Sequence, residues 1–187
     1  MKNRANKHQF TLGTAIFSLI LGVAGPVAAH VVLDPPSAPA GSTAKAALRV
    51  SHGCEGAPTT GVVVQIPAGF QGAKPQPKAG WTLAVRREKL ATPYPSHGKT
   101  VTEDVVEIRW TAASRESALP DGQFDEFVLL GRLPDAAGPL WFKVLQTCEA
   151  GQNDWSQVPA SGTSTQGLKT PAVLLDVRPP APAHHAH

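Results

Sequence analysis

The chain has 187 residues, 17 of them Lys or Arg and 14 Asp or Glu, giving a formal net charge of +3 and an isoelectric point near 9.0. Three of the basic residues and none of the acids lie in the first 29 positions, so residues 30–187 carry 14 charges of each sign and a formal net charge of zero. No basic stripe is left to neutralise a phosphate backbone, which excludes nucleic acid as a partner, and the 158 residues that remain suit one domain with a core of its own.

Residues 1–29 have the layout of a secretory signal peptide. Lys2, Arg4 and Lys7 open it, an uncharged and mostly apolar run follows over 10–23, and Val27-Ala28-Ala29 supplies the small residues that signal peptidase reads. The apolar run is short of the roughly 20 residues that span a bilayer, so an uncleaved anchor is the alternative rather than the first reading. Cleavage after Ala29 makes His30 the first residue. A free α-amino group titrates close to neutrality and lies beside the Nδ1 of its own ring, so one residue can chelate a metal with two nitrogens.

The strand signals then follow in order. "KAALRVSH" at 45–52 alternates, with Ala46, Leu48, Val50 and His52 on one face. "TGVVVQIPAG", "GWTLAVRR", "VTEDVVEIRW", "FDEFVLLGRLP", "PLWFKVLQTC" and "PAVLLDV" complete seven candidates, punctuated by Pro and Gly. No long amphipathic helix appears. The pattern predicts an all-β fold, an Ig-like antiparallel β-sandwich in a single domain over 30–178, with long connections at 87–101 and 149–170. The end, "RPPAPAHHAH", reads as an extended Pro/His-rich tail over 179–187, and His184, His185 and His187 form an auxiliary metal-capturing cluster or a solvated end.

Cys54 and Cys148 are the two cysteines. In an exported chain such a pair reads first as a disulfide, closing a loop of about 95 residues, with a thiolate metal site as the alternative. The disulfide would bring His52 of "SHGCEG" and Glu149 of "TCEAGQNDW" to one rim, with Trp155 near them. His97 sits in the "YPSHGKT" loop and resembles a surface histidine. Asp125 and Glu126 enter an apolar strand at adjacent positions, so one carboxylate points towards the buried face, where it needs a metal or one of the arginines as its partner. No Ser-His-Asp motif, phosphate loop or CxxC occurs, and catalysis has no support apart from a metal site.

Taken in order, "AHVVLDPPSAPAGS", "TTGVVVQIP", "KPQPKAGWTLAV" and "DGQFDEFVLLGRLPDAAGPLWFKVLQTCEAGQNDW" resemble the YcnI-type family, domain of unknown function 1775, over residues 30 to about 177. The resemblance implies a secreted or membrane-tethered bacterial sandwich linked to copper handling. It implies Cu(II) held at a mature N-terminal histidine brace, here His30, with Trp155 as the nearby tryptophan. The acid some members carry after "AGS" is replaced here by Thr43 and Ala44. Asp125, Glu126 and Glu149 are the candidate carboxylates, and His52 is a candidate second imidazole. Cu(II) prefers tetragonal nitrogen and oxygen ligands, which suits this donor set.

The expected function is therefore a periplasmic or secreted copper(II)-binding protein acting in copper trafficking, delivery or resistance. Its partners would be the ion and other periplasmic or inner-membrane copper proteins, and no transmembrane anchor would remain after signal cleavage. Two alternatives belong to other classes: an N-terminal-histidine copper oxidase acting on polysaccharide, and a metal-free extracellular assembly module.

Overall fold

The structure, a computed structural model, describes residues 30–180; the signal peptide expected over 1–29 and the three tail histidines His184, His185 and His187 lie outside the described residues. Eleven strands are present: β1 (Val32–Asp34), β2 (Ser37–Pro39), β3 (Thr43–Val50), β4 (Thr59–Gln65), β5 (Gln71–Pro75), β6 (Trp81–Ser96), β7 (Lys99–Ala112), β8 (Asp125–Arg132), β9 (Gly138–Cys148), β10 (Gln152–Trp155) and β11 (Val173–Arg178). One 3-10 turn, Arg115–Ser117, interrupts them, and no α-helix occurs among the described residues.

Two sheets face each other. One has the order β1-β3-β8-β5, and the other has the order β2-β11-β9-β4-β7-β6, with β10 added beside β9. All pairings are antiparallel except that of β2 with β11. The sheets form because the strands alternate. In β8, Phe127 and Leu129 are buried while Leu130 and Arg132 face out; in β9, Leu140, Phe142, Val144, Gln146 and Cys148 form the inward row. Phe127 lies at the centre, edge-on to Trp81 at 5.0 Å and to Trp110 at 5.7 Å between ring centroids. Such contacts contribute about 0.5–1.5 kcal/mol each beyond the area they bury. The Trp110 indole N–H donates to the Gln76 carbonyl at 3.1 Å, so the buried ring leaves no orphan donor.

The seven expected runs all contain strands. The structure differs in what lies between them. The connection expected at 87–101 is strand: β6 and β7 continue as a long hairpin to the turn at His97 (φ 46°) and Gly98 (φ 73°). Two adjacent residues with positive φ are the mark of a type I′ turn, whose twist matches that of the strands. The connection at 149–170 contains β10, and β1 and β2 form within the Pro-rich stretch after His30.

The tip of the hairpin is tied down by a buried carboxylate. Asp104 Oδ2 accepts from the Tyr94 hydroxyl at 2.6 Å and from the Gly72 amide at 2.7 Å, and Oδ1 accepts from the Val105 amide at 2.7 Å. Burial, and then the hydrogen bond to Asp104 and its negative charge, push the Tyr94 phenol up from 10.0 to about 12. A raised folded-state value stabilises the fold fully below the unfolded pKa, and this contribution is lost as pH rises from about 10 through about 12. Tyr94 is the one tyrosine of the chain, so ultraviolet titration reads it alone. The expected midpoint is near 12 in the native protein and lower in Asp104→Asn, which removes the negative charge while burial of the ring remains. Identical midpoints in the two proteins would refute this anchor.

Candidate metal centre

His30 begins the described chain two residues before β1, at the rim of the sandwich. Val31 and Leu33 behind it are buried in the core, which fixes where the histidine emerges. Its half-buried ring lies against the Trp155 indole, with centroids 5.5 Å apart and planes tilted by 49°. No hydrogen bond from any described residue reaches the ring, so its nitrogens are not occupied by protein groups in that range. Beside it, a groove of about 390 Å³ opens between β1, β2 and β11, lined mostly by apolar groups, among them those of Val32, Pro36, Pro171 and Leu174.

Trp155 closes β10, which pairs with β9 where β11 has ended: Val173 is opposite Phe142, and Trp155 is opposite Val144. That register turns Trp155 inward, 5% exposed. Its indole N–H donates to Gln146 Oε1 at 3.2 Å. Gln146, 1% exposed, sits in the inward row of β9 between Val144 and Cys148. Its Nε2 donates to the His52 carbonyl at 2.7 Å and to Thr59 Oγ1 at 2.8 Å.

The disulfide expected from compartment chemistry is present. Cys54 and Cys148 are bonded with Cα atoms 5.9 Å apart. It fastens the loop after β3 to the end of β9. Within that loop Cys54 and Ala57 exchange two backbone hydrogen bonds across a turn with positive φ at Glu55 and Gly56. Gly53 is required there, because a Cβ would lie 1.9 Å from the Ala57 carbonyl oxygen. The His52 Nδ1 is 2.5 Å from the Gly53 carbonyl. A carbonyl only accepts, so Nδ1 carries the proton and is no metal donor in this arrangement.

The three carboxylates are placed apart from this rim cluster or engaged elsewhere. Glu149 follows Cys148 by one position, and Arg115 binds it through Nε at 3.0 Å and Nη2 at 3.4 Å. With Thr147 it lines an outer groove that also contains Thr60 and Arg109. Asp125 opens β8 on the inward side, where its partner is Lys78 at 2.5 Å. Glu126 is opposite Arg49, which in turn is opposite Val32, so it stands two strands from β1, roughly 10 Å at ordinary strand spacing. Among the described residues, no three His, Cys, Asp or Glu side chains converge into a ready metal cage. His97 lies at the hairpin turn, in a cleft with Tyr94, Lys74 and Arg132.

Sequence reasoning missed Gln146. The signal was available: in "PLWFKVLQTC" the alternation that buries Leu140, Phe142 and Val144 places a glutamine in the next inward slot. Among the described residues, no helix is long and apolar enough to cross a membrane.

Comparison with known proteins places this geometry in context. A copper-binding protein named CutI from Bacillus subtilis (strain 168) is 26% identical over 131 residues, an alignment covering 70% of this chain and 56% of that relative. The chain therefore matches little more than half the length of that curated relative. A crystal structure of an uncharacterized protein from Nocardia farcinica, described as having an immunoglobulin-like fold, superposes with a TM-score of 0.60 at 28% identity, covering 79% of this chain and 97% of that one. The expected Ig-like sandwich is thus the fold of this chain. The family model for domain of unknown function 1775 matches residues 30–177, and the chain belongs to that family.

Proposed function

We propose that this protein binds copper(II) at His30 after export, in the periplasm or outside the cell, and serves copper trafficking, delivery or resistance rather than catalysis. The observation that carries the reading is the placement of His30: a rim imidazole with no protein hydrogen bond among the described residues, set 5.5 Å from a buried indole. A relative named as a copper-binding protein supports the choice of metal. His30 would hold the ion through its α-amino nitrogen and Nδ1, which suits the preference of Cu(II) for nitrogen ligands. Trp155 would form the apolar wall beside it and limit water on one side.

Asp125 is engaged by Lys78 and Glu149 by Arg115, so either acid gives up an ion pair on joining the site. Both nitrogens of His30 must be deprotonated to bind, so affinity falls as pH falls. The test is a Cu(II) titration of protein beginning at His30 beside protein carrying one extra residue before it. One ion per chain is expected at the His30 terminus. The extension converts the amine to an amide and should abolish that binding. Equal binding by both proteins would exclude the chelate.

A further inference from the structure

We propose that Gln146 is the positioning residue of this site, holding the Trp155 indole against the His30 ring. The inference rests on the copper reading above and extends it to a residue that touches neither the ion nor His30. Gln146 occupies a slot that Val144 and Phe142 on the same row fill with hydrocarbon. A polar group there is costly unless its partners are all in place, and they are. The amide donates to the His52 carbonyl at 2.7 Å and to Thr59 Oγ1 at 2.8 Å, and it accepts from the Trp155 N–H at 3.2 Å and Asn153 Nδ2 at 3.4 Å. Two donors and two acceptor sites are thereby used.

The orientation of the amide follows from its partners. An indole N–H only donates and a backbone carbonyl only accepts, so exchanging the amide oxygen and nitrogen would set donor against donor and acceptor against acceptor. Gln146 therefore adds a side-chain link among three pieces that each already attach to β9: β10 through Trp155, β4 through Thr59, and the loop held by Cys54 through the His52 carbonyl. An apolar residue of equal volume would fill the slot without orienting the indole. Groups hydrogen-bonded directly to a metal ligand typically contribute 10–100-fold to affinity; Gln146 acts one contact further back, through Trp155, so a smaller effect is expected.

The test uses Gln146→Met, which keeps the volume and removes every hydrogen bond. Two measurements are made on protein beginning at His30. Without metal, the nuclear Overhauser contact between the His30 ring and the Trp155 indole should weaken or vanish, and the indole N–H should exchange faster with solvent. With Cu(II), affinity should fall by more than about twofold and up to about 10-fold, the lower end of what a direct partner of a ligand contributes, and the electron paramagnetic resonance spectrum should shift. A folded Gln146→Met protein that keeps the contact and binds within twofold of the native protein would overturn the proposal. Should that variant not fold, Trp155→Phe keeps a ring and deletes the N–H. The same loss of affinity is then expected, and unchanged affinity and spectrum would overturn the role. If the native protein fails to bind Cu(II) while Gln146→Met still loses the ring contact, the copper reading fails and the positioning role stands.

Discussion

Replacing Cys54 and Cys148 together with alanine should lower the stability of the protein by about 4–5 kcal/mol, the chain-entropy value for a loop of this length. The bond joins residues 94 apart, so its loss releases a large loop in the unfolded chain. In a domain of this size such a change lowers the melting temperature by roughly 10–20 °C. The local effect is distinct from the global one. Both sulfurs are buried, and the linkage clamps the turn that presents the His52 carbonyl to Gln146. Amide exchange should therefore rise first at residues 52–57 and at the Trp155 indole. Denaturant unfolding of the oxidised protein against the double variant checks the magnitude. A difference below about 1 kcal/mol would mean that the packing of the inward row of β9 holds this end without the covalent link.

The second large effect concerns His30. Substituting alanine should reduce Cu(II) affinity by more than about 100-fold, because even residues behind a ligand contribute 10–100-fold and His30 is read as the ligand itself. Stability should change little. Val31 and Leu33, which anchor β1, are untouched, and the lost contact is one face of the Trp155 ring. Isothermal titration with Cu(II) and thermal unfolding of the metal-free variant separate the two quantities. An affinity within tenfold of the native protein would move the site elsewhere, with the remaining histidines next in line.

Much of the sandwich was legible because alternation is a local signal. "FDEFVLLGR" and "PLWFKVLQT" state in sequence which side chains go inward, and the structure follows that parity in β8 and β9. The Cys54–Cys148 bond was legible from the number of cysteines and from the export that the sequence of residues 1–29 leads one to expect. The short strands were not. β1, β2 and β10 have three or four residues each, and they form because a neighbour offers an open edge. β10 exists where β11 stops pairing with β9, a fact of tertiary register that no local window contains. The hairpin at 87–101 was hidden for a related reason: β6 is an edge strand with most residues exposed, so it lacks the apolar alternation that marks a covered strand.

Of the candidate site, the sequence names the two rings that the structure brings together, His30 and Trp155, and does not reveal what holds them. His30 and Trp155 are 125 positions apart, and they meet because β1 and β10 reach the same rim. The ion pairs of Asp125 with Lys78 and of Glu149 with Arg115 were beyond reach, since each joins elements far apart in sequence.

Native mass spectrometry of the protein recovered from the medium or periplasm of an expressing cell, with one equivalent of Cu(II) added, tests the central claim most directly. It reads the first residue and the bound ion in a single spectrum. The account predicts one species whose mass begins at His30 and which retains one copper. A mature chain beginning at any other residue, or one beginning at His30 that carries no copper, would contradict it.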